Sequence, residues 1–296
     1  REDRRRYHSM KWAVGESELP MWVADMDFKA PPAVIDAVKK RAEHGIYGYS
    51  VIPDEFYESM IGWWERRHQF QIEREWMIFC SGVISAVTCA VKRLTNPGDK
   101  VLVQTPVYHI FFHSIENHGR HVLENKLHYE NGAYRIDFED LEQKLSHPLT
   151  KMMILCNPQN PAGIIWSKEE LLRIGELCER YHVVLLSDEI HCDLVMPGFL
   201  YTPYASVSEL CKQNSITCIS TSKTFNLAGL NAATVVIPNE ALRQIMDRGL
   251  NADELAEPNA FAIDAVIAAY TTQDQWVDDL RIYLQENKKY VREFLE

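Results

Sequence analysis

Short apolar runs alternate with longer amphipathic segments from about residue 77 onward. The runs read "MIFC" (77–80), "VLVQ" (101–104), "MMILC" (152–156), "VVLLS" (183–187), "SITCIS" (215–220) and "ATVVI" (233–237). Continuous apolar runs are typical of strands that are covered on both faces of a sheet. The alternation therefore predicts an α/β fold, in which a mostly parallel sheet is sandwiched between helices.

Two amphipathic segments carry clear helix signals. "SKEELLRIGELCERYH" (167–182) opens with Ser167, and Glu170 follows three residues later, which is the pattern of a helix-capping box. "WVDDLRIYLQENKKYVREFLE" (276–296) places its apolar residues at helical spacing, which predicts one long helix there.

Composition and charge exclude several classes of partner. The 296 residues are 46% hydrophobic and 25% charged, with a formal net charge of −11. Such an acidic chain is repelled by nucleic acid and by anionic membrane surfaces, so we expect neither as a partner. The basic stretch "REDRRR" (1–6) is interpreted as a solvated terminus. We also expect no membrane-spanning helix, since no apolar stretch approaches about 20 residues, and no signal peptide in residues 1–30.

The cysteines indicate a reducing compartment. The seven cysteines are odd in number, show no C-x-x-C spacing and mostly lie within apolar runs. They are Cys80, Cys89, Cys156, Cys178, Cys192, Cys211 and Cys218. This pattern is typical of buried free thiols rather than of a disulfide framework. We therefore expect a cytoplasmic protein.

Specific polar residues follow the predicted strands. In a sheet of this kind, ligands bind beyond the carboxyl ends of the strands, so chemistry is expected there. The residues that follow are Asn157-Pro-Gln-Asn160-Pro-Ala-Gly163 after "MMILC", Asp188-Glu-Ile-His191 after "VVLLS", Thr221-Ser222-Lys223 after "SITCIS", Thr105-Pro-Val-Tyr108 after "VLVQ", and Ser81-Gly82-Val83-Ile84 after "MIFC".

These residue types suit a planar, phosphorylated aldehyde with a cationic ring, namely pyridoxal 5′-phosphate. A lysine forms a Schiff base with the aldehyde, a carboxylate keeps the ring nitrogen protonated, and an aromatic side chain stacks on the ring. Hydroxyls and the N–H groups at a helix N-terminus bind the phosphate. The sequence therefore predicts pyridoxal 5′-phosphate as the cofactor.

The motifs "SKTFNLAGL", "SDEIH", "NPQNPAG", "YGYS" and "MWVADMDF" resemble those of the fold-type I pyridoxal-phosphate enzymes of the class I/II aminotransferase superfamily. Within them, the chain is similar to the MalY/PatB-like cystathionine β-lyase (C–S lyase) group. The resemblance spans nearly the whole chain in order. It implies a seven-stranded large domain and a smaller α+β domain. The expected boundaries are residues 1–37 for the start of the small domain and the substrate-pocket segment, 38–275 for the cofactor-binding domain, and 276–296 for an interdomain helix.

The resemblance also implies a role for each candidate residue. Lys223 is the expected Schiff-base lysine, and Asp188 is the expected partner of the ring nitrogen. The remaining expected cofactor contacts are Asn160 and His191 near the ring hydroxyl, Tyr108 stacked on the ring, and Ser220, Ser222 and the N–H groups of Val83 and Ile84 at the phosphate. Tyr49 is expected to reach the phosphate of a neighbouring subunit, which implies a homodimer. The segment around Asp25 is expected to border the substrate pocket.

Two departures from the wider aminotransferase pattern favour a lyase. In the wider aminotransferase pattern, an arginine lies eight residues after the Schiff-base lysine and a tyrosine lies three residues after the aspartate. At the corresponding positions this chain has Asn231 and His191. The implied reaction is α,β-elimination of L-cystathionine or a related cysteine conjugate. The family's chains are expected to continue beyond residue 296, where the arginine that binds the substrate carboxylate would lie. An aminotransferase of the same fold is the alternative, and a non-catalytic regulatory protein is a further one.

Other interpretations of the same residues stay open on the sequence alone. Asp188 could cap a helix, Tyr108 and His191 could be core side chains, and Tyr49 could belong to a simple loop. Ser220-Thr-Ser-Lys223 matches the S-x-x-K motif of penicillin-recognising hydrolases, but the K-T-G strand of that class is absent from the sequence. The pair in "HIFFH" (His109 and His113) has metal-ligand spacing without a nearby carboxylate, so we expect no metal site.

Overall fold

The computed structural model describes residues 4–296, so the first three residues of the basic stretch lie outside it. Its strands are β1 (Met77–Cys80), β2 (Lys100–Thr105), β3 (His121–Lys126), β4 (His128–Glu130), β5 (Ala133–Arg135), β6 (Thr150–Cys156), β7 (Val184–Asp188), β8 (Ser215–Ile219) and β9 (Ala233–Val236). Its α-helices are α1 (Pro32–His44), α2 (Asp54–His68), α3 (Val83–Leu94), α4 (Ile110–Glu116), α5 (Phe138–Leu145), α6 (Lys168–Arg180), α7 (Glu209–Gln213), α8 (Thr221–Thr224), α9 (Glu240–Ala252), α10 (Ala262–Thr272) and α11 (Asp274–Leu295).

Seven strands form one mostly parallel sheet. Their order is β1-β9-β8-β7-β6-β2-β3. The strands from β8 to β3 are mutually parallel, and β9 runs antiparallel to both of its neighbours. The predicted fold class is confirmed, and each of the six predicted runs corresponds to one of these strands.

Alternate residues of each central strand pack on opposite faces of the sheet. Val101 and Val103 of β2 pack in a core with α3 and α9, whereas Leu102 between them packs in a second core with α5 and α6. The same division separates Ile154 from Met153 and Leu155 in β6. Side chains in a strand point alternately to its two faces, so a continuous apolar run supplies both layers of the sandwich.

The predicted helices are present with small shifts at their ends. Ser167 caps α6 through a complete capping box, in which its hydroxyl accepts from the Glu170 N–H and the Glu170 carboxylate accepts from the Ser167 N–H. Helix α11 covers the predicted C-terminal helix and begins two residues earlier, at Asp274. No helix within residues 4–296 is both long and apolar enough to cross a membrane. The division into domains at residues 38 and 276 stays a prediction.

The sequence interpretation missed strand β3 and the hairpin β4–β5. Strand β3 lies at the edge of the sheet and is only partly buried, so it lacks the continuous apolar run that marks the other strands. The hairpin turns on Asn131 and Gly132, both with positive φ, and Glu130 pairs with Ala133. An Asn-Gly pair between short strands is the usual signal for such a turn and could have revealed the hairpin.

Candidate active site

The carboxyl ends of β6, β7 and β8 bring three polar loops to one edge of the sheet. Asp188 is the last residue of β7 and pairs in register with Cys218 of β8. Its backbone carbonyl accepts a hydrogen bond from the Asn157 N–H, at 2.9 Å, where the loop after β6 begins. Lys223 lies four residues after the end of β8, on the short helix α8. The register of parallel strands thus collects residues that are far apart in sequence.

The Asp188 carboxylate is buried with little compensation from the protein. Among residues 4–296, the Ile190 N–H donates to its Oδ1 at 3.2 Å, and no donor reaches its Oδ2. Burial raises its pKa to about 7, against a smaller lowering by the Ile190 N–H; the neighbouring Glu189 raises the pKa further and the Lys223 ammonium lowers it. A buried carboxyl of this kind gains most from a cationic hydrogen-bond donor.

The charges of Lys223 and Asp188 reach the other predicted residues. Burial lowers the pKa of His191 to about 4, with a further lowering by Lys223, so the imidazole is neutral at physiological pH. Burial raises the pKa of Tyr108, and the Asp188 carboxylate adds to that effect. Electrostatic interactions therefore connect four residues that the sequence placed after three different strands: His191 with Lys223, Lys223 with Asp188, and Asp188 with Tyr108.

Asn160 lies in the loop that borders Asp188. Its backbone N–H contacts the Cys156 Sγ at 3.4 Å, and its side chain is half-buried. Burial raises the pKa of the Cys156 thiol, and the Asp188 carboxylate raises it further, so the loop and the carboxylate are close. The loop that carries Asn160 consequently lies beside Asp188.

Ser220 and Ser222 lie at the N-terminus of α8, and their hydroxyls have different hydrogen-bond partners. The Ser220 hydroxyl accepts from the Ser222 N–H at 3.0 Å and lies 2.7 Å from the Ala232 carbonyl, to which it donates. Its single proton is therefore used within the protein. Ser222 is half-buried, and its hydroxyl lies 3.0 Å from that of Ser220. Ser222 is the better placed of the two to donate to a phosphate.

Val83 and Ile84 open helix α3 directly after Gly82. N–H groups in the first turn of a helix have no intrahelical acceptor and lie at its positive end. Both β1 and β8 pair antiparallel with β9, so their carboxyl ends lie on the same edge of the sheet. Two inter-strand spacings separate them, or about 10 Å. The first turn of α3 and the α8 N-terminus thus face the same region.

Tyr49 is the predicted residue that the single chain does not bring to this edge. Its side chain is fully exposed, in a stretch without regular secondary structure between α1 and α2.

Three polar residues near the site were missed by the sequence interpretation. Glu189, next to Asp188, is buried and accepts from the Ser187 hydroxyl (2.7 Å), the Tyr204 N–H (2.9 Å) and the Tyr201 hydroxyl. Asp193 and Asn226 make similarly dense contacts with other segments. All three lie within a few residues of Asp188 or Lys223. Charged residues near a buried strand end normally have hydrogen-bonding or charged partners. The presence of Glu189 and Asp193 just after a buried strand could therefore have identified them from the sequence.

Metal-ligating side chains come together at one other place. Within residues 4–296, the single group of three or more comprises His68, Cys192 and Asp193, whose ligand atoms all lie within 4.8 Å of one another. The His68 Nε2 lies 2.8 Å from the Asp193 Oδ1, which is a hydrogen-bond distance. His109 and His113 are exposed, with ring centroids 5.7 Å apart.

The residues at the sheet edge fit pyridoxal 5′-phosphate. Among residues 4–296, no donor contacts the Asp188 Oδ2, and a protonated ring nitrogen would supply one. A lysine on the short helix after the adjacent strand, an aromatic side chain and a helix N-terminus complete the set of groups that this cofactor requires.

Comparison with known proteins agrees with this geometry. The sequence model for aminotransferase class I and II matches residues 18–296. The chain belongs to this family. Among its relatives, cystathionine β-lyase PatB of Bacillus subtilis is 45% identical over 301 residues, covering 100% of this chain and 78% of PatB. The protein MalY of Escherichia coli is 34% identical, covering 92% of this chain and 70% of MalY.

A solved structure of a family member extends the likeness to the fold. Cystalysin from Treponema denticola, which contains a pyridoxal 5′-phosphate cofactor, superimposes with a TM-score of 0.95 at 34% identity, and the match covers 99% of this chain and 76% of cystalysin. The predicted resemblance to the C–S lyase group is confirmed, and pyridoxal 5′-phosphate is the cofactor of this family.

Proposed function

We propose that this family member is a pyridoxal-phosphate-dependent C–S β-lyase. It cleaves L-cystathionine or a related cysteine conjugate, with one water, to a thiol, pyruvate and an ammonium ion. The observation that carries the proposal is the buried Asp188 carboxylate within the field of Lys223, in a chain that is 45% identical to a cystathionine β-lyase over its whole length. The cofactor provides an electron sink for the carbanion that forms when the substrate Cα loses its proton.

Lys223 and Asp188 have complementary tasks in this proposal. Lys223 would hold the cofactor through its aldehyde, and its amine would serve as the base that takes the proton from the substrate Cα. Asp188 would hold the ring nitrogen and favour its protonated form. Its burial strengthens this interaction because a low-dielectric surrounding screens the charges weakly.

The neighbouring residues orient the ring. Tyr108 would stack on the ring, and the Asn160 amide would donate to the ring hydroxyl oxygen. His191 is neutral near pH 7, so it would add a hydrogen-bonding group there without a second positive charge near Lys223. The Ser222 hydroxyl and the N–H groups of Val83 and Ile84 would hold the phosphate, with Ser220 fixing the turn that carries Ser222.

In this proposal, the protein is a homodimer and acts in the cytoplasm. A fully exposed Tyr49 is available to a neighbouring subunit, and it lies between other exposed apolar residues, Ile46, Tyr47 and Val51. Large exposed apolar patches mark protein interfaces. All seven cysteines are buried and free, which suits a reducing compartment.

The test is an assay of the purified holoenzyme with L-cystathionine and no keto-acid acceptor. Sustained pyruvate release over many turnovers, lost in Lys223→Ala, is the expected result. A single turnover that bleaches the cofactor band without pyruvate would identify an aminotransferase instead. Absence of any reaction with cystathionine, cysteine and aryl-cysteine conjugates, despite bound cofactor, would favour the regulatory alternative.

A further inference from the structure

Asp193 joins three separate segments of the chain through one buried carboxylate. Its Oδ1 accepts from the Trp63 indole N–H at 2.9 Å and lies 2.8 Å from the His68 Nε2, both on α2. Its Oδ2 accepts from the Thr224 hydroxyl at 2.8 Å. Both oxygens are therefore occupied by protein donors, and the side chain is almost completely buried.

The pKa of Asp193 is shifted in the opposite direction from that of Asp188, five residues before it. Burial alone would raise its pKa, but the hydrogen bond and charge of His68, together with the Thr224 hydroxyl and the Trp63 indole, bring the pKa below its usual value. A carboxylate that is charged and fully hydrogen-bonded holds its donors firmly, because charge-assisted hydrogen bonds are roughly twice as strong as neutral ones.

The third donor, Thr224, is the residue next to Lys223. Both belong to α8, which has a single turn, Thr221–Thr224. So short a helix has little stability of its own, and its orientation depends on tertiary contacts. Thr224 is fully buried, so its hydroxyl contact is protected from water. The following residue, Phe225, packs against the Trp63 ring with centroids 5.5 Å apart, which reinforces the same link to α2.

We propose that Asp193 is a positioning residue for Lys223, acting through the Thr224 hydroxyl to fix the orientation of α8, with His68 and Trp63 fixing Asp193 in turn. Asp193 also lies on the segment that leaves Asp188, so the same carboxylate sets the separation of the lysine and the ring-nitrogen partner. This inference rests on the proposed function, in which Lys223 carries the cofactor. It assigns to Asp193 no contact with substrate or cofactor.

The test compares variants that differ in one buried hydroxyl. Thr224→Val removes the donor and keeps the shape, and Thr224→Ser restores a donor. The matched control is Thr95→Val, which deletes another buried threonine hydroxyl, one that donates to the Val91 carbonyl at 2.6 Å and accepts from Arg120 at 2.9 Å. Thr95 follows the C-terminal end of α3, about 18 Å along the helix from Val83, so it shares the stability cost without touching α8.

The first measurement is the rate at which added pyridoxal phosphate attaches to Lys223 of the apoprotein. The amine condenses with the cofactor aldehyde and releases one water, and borohydride reduction followed by mass spectrometry counts the modified lysine. We expect Thr224→Val to slow attachment about tenfold or more, since a small misplacement of a reacting group has an effect of this order. Thr224→Ser should stay close to wild type, and Thr95→Val should match wild type.

The second measurement separates positioning from loss of folding. In the holoenzymes, Thr224→Val should lower kcat by a similar factor with KM changed less than about threefold, since the substrate contacts are intact. Attachment and kcat in Thr224→Val equal to those of Thr95→Val would overturn the inference. Failure of wild type to attach the cofactor at Lys223 would overturn the proposed function instead. Should Thr224→Val not fold, His68→Leu replaces it, because Leu occupies much of the space of the imidazole and removes its hydrogen bond to the Asp193 Oδ1; unchanged attachment there overturns the inference.

Discussion

Met26 and Asn226 form a reciprocal pair of hydrogen bonds although 200 residues separate them in sequence. The Met26 N–H donates to the Asn226 Oδ1 and the Asn226 Nδ2 donates to the Met26 carbonyl, both at 2.9 Å. The same Nδ2 also lies 3.1 Å from the Phe28 carbonyl. Asn226 is three residues after Lys223, so it fastens the "VADMDF" segment beside the lysine. This contact supports the expectation that the segment borders the substrate pocket.

Replacing Asn226 should release that segment without unfolding the protein. Asn226 has φ near 60°, so Asn226→Gly keeps the backbone conformation and removes only the amide. Loss of these bonds, worth about 1–2 kcal/mol, should speed amide hydrogen exchange at Met26 about 5- to 30-fold. Asn131→Gly, which alters a residue with φ of 51° in the β4–β5 turn, is the control. Unchanged exchange at Met26 would contradict the role of Asn226.

The raised pKa of Asp188 predicts a pH-dependent penalty in the cofactor-free protein. The pKa of Asp188 is about 7 in the folded protein, against a reference value of 3.8, so between these pH values the folded protein keeps the carboxyl proton that the unfolded chain has lost. The contribution of this proton to the free energy of unfolding is fully present below pH 3.8 and is lost as the pH rises through about 7, at about 1.4 kcal/mol per pKa unit.

Asp188→Asn removes this titration and leaves an uncharged side chain of the same shape. We expect the Tm of the Asp188→Asn apoprotein, relative to wild type, to rise between pH 4 and pH 8 in calorimetry. Bound cofactor should reverse the ranking at pH 8, because the ionised wild-type carboxylate then has its partner. Parallel Tm curves for the two apoproteins would show that Asp188 is ionised throughout.

Gly249 keeps helices α9 and α3 close together. A Cβ at this position would lie 2.6 Å from the Cys89 Sγ and 2.8 Å from the Arg93 Cγ. Gly249→Ala should therefore lower the free energy of unfolding by about 1–3 kcal/mol in urea titrations. Adding Cys89→Ala should recover part of that loss, as a double-mutant cycle would detect. Gly229→Ala, where a Cβ meets nothing within 4 Å, should be close to neutral.

A shared active site predicts complementation between two inactive variants. If Tyr49 completes the site of a neighbouring subunit, a hybrid dimer of Tyr49→Ala and Lys223→Ala subunits contains one intact site. Random reassociation of equal amounts should then restore about a quarter of wild-type activity. Mixed Lys223→Ala and Asp188→Ala subunits are the control. Both residues belong to the same chain's site, so every site of the hybrid dimer lacks one of them, and activity should stay near zero. Equal activity in both mixtures would place Tyr49 outside the partner's site.

The sequence by itself determined the architecture and the chemical inventory of the site. Continuous apolar runs such as those of β2, β6 and β7 are specified locally, because a strand covered on both faces must be apolar at every position. The residue types after those strands, with Lys223 and Asp188 foremost, are enough to indicate the cofactor. The Ser167–Glu170 capping box is also a local pattern, and it was predicted to the residue.

Tertiary structure alone decided which residues support one another. The bonds of Asp193 to His68 and Thr224 span 125 and 31 residues, and that of Asn226 to Met26 spans 200. No local pattern specifies such pairs, because a buried polar group is satisfied by whichever donor the packing brings within reach. The pKa values of Asp188 and Asp193 differ for the same reason. Two aspartates five residues apart in one segment have opposite pKa shifts. Burial is the largest cause at both, but at Asp193 the lowering by His68, Thr224 and Trp63 together exceeds it.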